Sequence, residues 1–149
     1  MSLCLRYVDA SDAKDILQLG FIKVFDYIHQ FKGTGSFEGW IRKVFVSIAT
    51  RHLANKKIQF AEIHDDTIQI PDEQPGVIEK ISEDEIHQLI RTLPVGYRTV
   101  FNMYVIEGYS HEEIGSMLNI EPVTSRSQLL KARKLLQVLI CKHCNTVLL

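Results

Sequence analysis

Apolar residues in the first third of the chain recur at intervals of three and four, the spacing of one face of an α-helix. This spacing predicts a helix over 13–30 that Asp12 caps and whose apolar face contains Ile16, Leu17, Phe21, Val24, Phe25 and Ile28. A second helix is predicted to start near Ser36 and to carry an apolar stripe from Trp40 to Leu53. The stretch 31–40 between them holds three glycines. No strand-like alternation occurs in this part, so it is predicted to be helix, loop, helix.

The part of the chain from residue 82 onward contains several helix start and stop signals. Ser82 with Glu85 forms a capping-box pattern that opens an apolar run ending at Pro94. Another helix is predicted at about 95–107, where Gly108 ends it. Ser110 with Glu113 repeats the capping box and opens a short helix.

The short helix is predicted to end at Leu118, because Asn119 tolerates the left-handed conformation. Pro122 suits the first position of the next helix. A short capped helix, a tight turn and a longer helix are the elements of a helix-turn-helix, although many core helix pairs share the pattern.

Charge divides the chain into three blocks beneath its net charge of -1. Residues 1–57 carry a net +4, residues 58–90 a net -8, and residues 91–149 a net +3. Two basic blocks flanking an acidic connector fit two nucleic-acid-binding modules, although solvated surface alone can produce the pattern. The predicted organisation is all-α, with helical domains at 1–57 and 82–140, an acidic linker at 58–81 and a tail at 141–149.

The last helix is predicted to have two different faces. At 100° per residue, Ser125, Leu129, Ala132 and Leu136 share a narrow inward sector. The residues left outside are Thr124, Arg126, Ser127, Lys131 and Lys134. Arginine can bind guanine in a bidentate manner and Gln128 can read adenine. A solvated surface usually mixes in acids, but 122–140 contains none, which favours a DNA groove.

Two longer stretches resemble a known family. "LPVGYRTVFNMYVIEGYSHEEIGSMLNIEPVTSRSQLLKARKLL" (93–136) resembles region 4 of the extracytoplasmic-function (ECF) RNA polymerase sigma factors of the sigma-70 family. "DAKDILQLGFIKVFDYIHQFKGTGSFEGWIRKV" (12–44) resembles region 2 of the same group. The resemblance implies a transcription initiation factor without a catalytic centre, cofactor or small-molecule substrate. Its implied partners are core RNA polymerase, promoter DNA and, in some cases, an anti-sigma factor.

The resemblance assigns roles to residues of the last helices. It places Arg126, Ser127, Gln128 and Lys131 in the major groove of the minus-35 element, in agreement with the helical wheel except that Gln128 lies at the edge of the outer face. Arg98 and Ser110 are expected to bind backbone phosphates, since a helix N-terminus favours anions.

Region 2 is expected to bind single-stranded DNA and polymerase. The loop 31–37 and the helix after it resemble the part that captures a flipped base of the minus-10 element. Aromatic and basic side chains suit single strands; the residues assigned to this task are Phe31, Lys32, Phe37, Lys43, Ser47 and Arg51. Trp40 is interpreted as a core residue instead. Asp15, Gln18 and Phe21 match the motif that docks on the polymerase clamp.

Several positions depart from the family pattern. Members usually have a further helix before "CLRYV", so the chain is expected to begin inside the first conserved helix and to leave region 2 without one wall. Leu19, Ser47, Arg51 and Val123 replace the usual residues at their positions. These departures leave an alternative open: a shortened sigma-like protein that binds polymerase or an anti-sigma factor without initiating transcription. An ordinary helix-turn-helix repressor would need a dimer interface or effector pocket, and no sequence pattern indicates either.

Cysteine usage and hydropathy indicate the compartment. Three cysteines cannot pair fully within one chain, and no apolar run approaches the roughly 20 residues that span a bilayer. Both observations favour the cytoplasm. "CKHC" at 141–144 contains zinc-ligand types, but no second pair accompanies it, so no metal site is predicted.

Overall fold

The computed structural model describes residues 2–56 and 81–147, and the described residues that form regular structure are all helical. The predicted all-α fold class is confirmed. The predicted linker, apart from Ile81, lies outside the described residues. The helices are α1 (Ser2–Tyr7), α2 (Ala10–Tyr27) with a 3₁₀ turn (Ile28–Gln30), α3 (Phe37–Asn55), α4 (Glu83–Thr92), α5 (Val95–Phe101) continuing into a π-helical turn (Asn102–Ile106), α6 (His111–Leu118) and α7 (Pro122–Val147).

Most of the predicted helix boundaries agree with the structure. The hydroxyls of Ser36, Ser82 and Ser110 accept hydrogen bonds from backbone N–H groups three residues later, and the latter two complete capping boxes. Asn119 is left-handed, with φ 55°. The predicted cap of α2 is wrong, because Asp9 is the cap and its carboxylate accepts the N–H of Asp12.

The apolar stripe predicted for α2 is only partly buried. Ile16 and Val24 are inside, together with Gly20, but Phe21 is 49% and Phe25 71% exposed. The reason is the close approach of α3. The ring of Phe45 lies where a side chain at position 20 would begin, since a Cβ on Gly20 would lie 2.1 Å from Phe45 Cε1. The buried face of α2 therefore centres on Gly20, a residue whose hydropathy does not predict burial.

The two halves of the described chain pack on one another and share one apolar core. Helix α1 contacts α5, and α3 contacts α6. Arg98 Nη2 donates to the carbonyl of Tyr7 at 3.2 Å, and Asn102 Nδ2 donates to the carbonyl of Arg6 at 2.9 Å. The sequence indicated two domains but gave no sign of this contact.

The predicted tail continues the last helix as far as Val147. His143 holds this part of α7 against the start of α4, because its Nε2 lies 3.2 Å from Glu85 Oε1. The pKa of Glu85 is lowered to about 2, first by the bonds from the hydroxyl and N–H of Ser82 and then by His143.

We expect Gly20→Ala to destabilise the protein by about 1–3 kcal/mol, because overpacking forces the Phe45 ring away from α2. Gly39→Ala is the matched control: its new Cβ would meet nothing closer than Ser36 Cβ at 3.6 Å, and alanine favours helix. Urea unfolding followed by circular dichroism measures both. Equal stability of the two variants would contradict the packing described for α2 and α3.

Candidate nucleic-acid interface

The turn between α6 and α7 is tight because Gly115 has no side chain. A Cβ at this position would lie 2.8 Å from the carbonyl oxygen of Ile120. The left-handed Asn119 reverses the chain, and its N–H bonds the carbonyl of Gly115. Ile114 and Leu118 are buried beneath the turn. These contacts fix the direction in which α7 leaves α6.

The inner face of α7 packs on α5 and α6. Ser125, Leu129, Ala132 and Leu136 are buried, as the helical wheel predicts. Gln128 is also buried, with 2% of its surface exposed, so the prediction that it reads a base is wrong for this arrangement. At 3.6 residues per turn, Gln128 lies only about 60° around the helix from Ser125. Gln128 therefore lies in the buried sector, although its amide is polar.

The outer face of α7 carries both cationic and apolar side chains. Arg126 and Lys134 are exposed, while Thr124, Ser127 and Lys131 are partly exposed. Val123 is 66% and Leu130 56% exposed. Neither residue was predicted to lie at the surface, although the spacing of seven and four between Val123, Leu130 and Lys134 places them on one stripe of the helix.

Arg126 already has a carboxylate partner on α6. Its Nη2 lies 2.8 Å from Glu112 Oε1, and both side chains are more than half exposed. An exposed pair of this kind is weak, so a phosphate or a guanine can replace the carboxylate. His111 Nδ1 lies 2.9 Å from Ser125 Oγ, and partial burial followed by the charge of Arg126 lowers the pKa of His111.

The two residues expected to bind phosphate are placed differently from each other. Ser110 is exposed at the N-terminus of α6, where its hydroxyl caps the helix. Arg98 is half-buried, and its guanidinium donates to the carbonyls of Arg91 and Tyr7. Burial lowers the pKa of Arg98, followed by the charge of Arg91. The structure thus leaves Ser110 exposed at the start of α6 but engages Arg98 in the contact between the halves.

Three aromatic rings gather beside the glycine loop. The centroids of Phe31 and Phe37 are 5.2 Å apart, and Phe37 stacks on Trp40 at 5.9 Å with an interplanar angle of 14°. Lys32 and Lys43 line the same open cleft, which has a volume of about 390 Å³. Trp40 is partly buried against the core, as expected, and also belongs to this cluster.

The other two residues assigned to single-strand binding lie farther along α3. Ser47 and Arg51 are exposed, one and two turns beyond Lys43. Arg51 lines a different groove, together with Asp15 and Leu19 of α2. The structure therefore brings the aromatic residues and the nearer lysines together and leaves Arg51 apart.

The outward side of α2 presents an apolar surface. Asp15 and Gln18 are exposed, as is about half of Phe21, whose ring packs edge-on against Phe45 at 5.5 Å. Ile22 and Phe25 extend the surface, with 57% and 71% of their areas exposed. Exposed apolar residues gathered on one helix favour a protein partner.

The described part of the chain has neither a metal-binding cluster nor a membrane-spanning helix. No group of three or more His, Cys, Asp or Glu residues there could hold a metal ion. Among the helices of 2–56 and 81–147, none is long and apolar enough to cross a membrane.

Comparison with known families matches both halves of the chain. A model described as "Sigma-70 region 2" matches residues 1–58, and one described as "Sigma-70, region 4" matches residues 83–136. The chain belongs to the sigma-70 family of RNA polymerase sigma factors. Region 4 of this sigma factor contains α4 to α7, and region 2 contains α1 to α3.

The sigma factor is also similar to curated proteins along nearly its whole length. The RNA polymerase sigma-H factor of Pseudomonas aeruginosa is 26% identical over 147 residues, which cover 90% of this chain and 76% of that protein. The ECF RNA polymerase sigma factor SigE of Mycolicibacterium smegmatis is 29% identical over 140 residues, covering 90% and 54%. The ECF RNA polymerase sigma-E factor of Escherichia coli (strain K12) is 27% identical over 145 residues, covering 89% and 76%.

Proposed function

We propose that this sigma factor directs core RNA polymerase to promoters by inserting the outer face of α7 into the major groove of the minus-35 element. The observation that carries the proposal is the division of α7 into a buried side and an outer side, on which Arg126 and Lys134 are exposed and Ser127 is partly exposed. Arginine is suited to guanine, and the serine and lysine side chains reach bases or phosphates. Ser110 adds a phosphate contact at the start of α6.

Region 2 supplies the second half of the function. The cleft lined by Phe31 and two lysines, with Phe37 packed against Phe31, suits a base flipped from the single-stranded minus-10 element. The exposed side of α2 around Asp15, Gln18 and Phe21 docks on polymerase, and an anti-sigma factor would compete for such surfaces. The protein is a non-catalytic factor, and it works in the cytoplasm with the polymerase.

The test of this function is reconstituted transcription. The sigma factor is mixed with core polymerase from the same bacterium and with a promoter chosen from a randomised library. We expect run-off transcripts that require the sigma factor. Binding to the polymerase without any transcript would instead support the role of a sigma-like interaction protein.

Base reading by Arg126 predicts a loss of specificity. Arg126→Ala is expected to weaken binding to the selected site by about 1–3 kcal/mol and to change the preferred base, because a bidentate contact is lost. Lys134→Ala is expected to weaken binding to selected and random duplexes by the same factor. Fluorescence anisotropy with both duplexes measures the effects. Equal losses on the two duplexes for Arg126→Ala would contradict the assignment.

We infer that Val123 and Leu130 contribute to specificity by touching thymine methyl groups, since both are exposed in the middle of the groove-facing stripe. Replacing the contacted thymine by uracil removes one methyl. Because a buried methylene-sized group is worth about 0.8 kcal/mol, this should weaken wild-type binding about fourfold.

The same replacement is expected to change the affinity of Val123→Ala or Leu130→Ala by less than about twofold, because the contact is already lost. Lys134→Ala is the control that keeps the methyl effect. Scanning each thymine of the selected site by anisotropy identifies the position. Full sensitivity of both apolar variants at every thymine would refute the contact.

A further inference from the structure

Two thiols lie near the C-terminal end of α7, beyond the residues that match region 4. Cys141 and Cys144 are free cysteines, and each is partly exposed. The family match ends at residue 136, and neither the minus-35 surface nor the minus-10 cleft uses these two side chains. The third thiol, Cys4, is 1% exposed in the core, and burial raises its pKa. Oxidants therefore reach the two thiols of α7 in preference to Cys4.

Helix geometry places the two thiols of α7 side by side. Residues three positions apart lie about 60° apart around the axis, with their Cα atoms about 5 Å and their Cβ atoms about 5–6 Å from each other. The Cα separation already suits a disulfide, which spans about 4.4–6.8 Å, whereas the Cβ atoms of a disulfide lie about 3.5–4.5 Å apart. A bond between Cys141 and Cys144 thus requires this turn of α7 to tighten by about 1–2 Å.

The histidine between the two cysteines lies on another side of the helix. His143 is about 100° around the axis from Cys144 and about 160° from Cys141. Its Nε2 lies 3.2 Å from Oε1 of Glu85, at the start of α4. The three side chains therefore do not converge on one point, in keeping with the absence of a metal-binding cluster from the described residues. The segment 141–144 thus combines a pair of thiols with a neighbouring contact to α4.

The contact between His143 and Glu85 depends on the shape of this turn. Glu85 Oε2 accepts hydrogen bonds from the N–H and the hydroxyl of Ser82, while its Oε1 faces His143. A hydrogen bond of 3.2 Å is near the long end of the normal range, so displacing the histidine by about 1 Å breaks it. Helix α7 ends at Val147, and the last four carbonyls of a helix lack partners within it. The turn that holds His143 is therefore easily deformed.

We propose that Cys141 and Cys144 form a redox-modification site, where hydrogen peroxide joins the two thiols in a disulfide that releases His143 from Glu85. The thiolate of one cysteine attacks a peroxide oxygen, the O–O bond breaks, and a sulfenic acid and one water form. The thiolate of the other cysteine attacks the sulfenic sulfur, the S–O bond breaks, and the hydroxide that leaves takes up a proton to become the second water. The two thiols lose two electrons and two protons, and the peroxide gains both.

The disulfide makes the attachment of α4 to α7 dependent on the redox state. In the oxidised protein the capping box of Ser82 and Glu85 remains, but it loses its contact with α7. In a reducing compartment such a disulfide is transient, which is the usual behaviour of redox-sensing cysteines. Cys141 lies about 22 Å along α7 from Arg126, at 1.5 Å per residue. The inference therefore concerns α4 and stands independently of base reading by α7.

The first test identifies the bond. The sigma factor is treated with hydrogen peroxide, the remaining thiols are alkylated after unfolding, and the chain is digested with trypsin. Because trypsin cleaves after Lys142, a disulfide between Cys141 and Cys144 joins two peptides that reduction separates. We expect this linked pair together with fully alkylated Cys4. Separate sulfinic acids at the two positions, or disulfides between molecules only, would overturn the proposal.

The second test measures the release of α4. Hydrogen exchange followed by mass spectrometry reports the amide protection of its first turn, and the capping box that opens α6 serves as the internal reference. We expect several-fold faster exchange at the start of α4 after oxidation, unchanged exchange at α6, and recovery with dithiothreitol. Peroxide-treated Cys144→Ser is the matched control, which should keep the rate of the reduced protein because it cannot close the bond.

A histidine variant completes the cycle. Reduced His143→Ala lacks the contact with Glu85, so its α4 should exchange as fast as that of oxidised wild type, and oxidation should accelerate it by less than about twofold. Circular dichroism establishes that the variant folds, and His143→Leu replaces it should the alanine variant lose its helical signal. A linked peptide pair without faster exchange at α4 would overturn the release of His143, and so would strong further acceleration of the His143 variants by oxidation.

Discussion

The packing of Leu129, Ala132 and Leu136 on α5 and α6 is the contact on which the proposed DNA-binding surface depends. Fully burying each leucine is worth about 1.5–3 kcal/mol, so rotating α7 to present another side is costly. The rotation that buries these residues leaves Arg126 and Lys134 in solvent. Gly115 and Asn119 then set the direction of the helix, because the turn tolerates no bulk at one position and needs a positive φ at the other.

Local features of this fold could be predicted because they depend on neighbouring residues. A serine three residues before a glutamate caps a helix wherever it lies, and Asn119 and Pro122 end and begin helices for reasons within a single turn. The buried sector of α7 follows from its period. The aromatic residues of the glycine loop also lie close in sequence, and the family resemblance assigns Phe31 and Phe37 to the same surface.

Features that depend on distant segments could not be predicted. Gln128 lies at the border between the two faces, and only the position of α5 and α6 decides on which side it falls. The exposure of Phe25 follows from the insertion of Phe45 against Gly20, a contact between residues 25 positions apart. Glu107 resembles any surface acid in the sequence, yet its partners come from α1 and α3. Val123 and Leu130 were missed because apolar residues at helical spacing are usually buried.

Two carboxylates of region 4 pair with arginines in different surroundings. The outer face of α7 lacks acidic residues between 122 and 140, while Glu112 of α6 holds Arg126 through a pair that solvent weakens. The Glu107 carboxylate, by contrast, is almost fully buried, while the side chains of its partners Arg6 and Arg42 are 24% and 41% exposed. In the proposed complex an anionic duplex therefore displaces the Glu112 carboxylate from Arg126 at little cost.

Photo-crosslinking within the initiation complex tests the central claim most directly. A photoreactive amino acid is placed at position 130 on the outer face of α7, and at position 25 of α2 as a control. We expect position 130 to crosslink to duplex DNA in the minus-35 region and position 25 to crosslink to polymerase. Crosslinking of position 130 to protein alone, in a complex that transcribes, would contradict it.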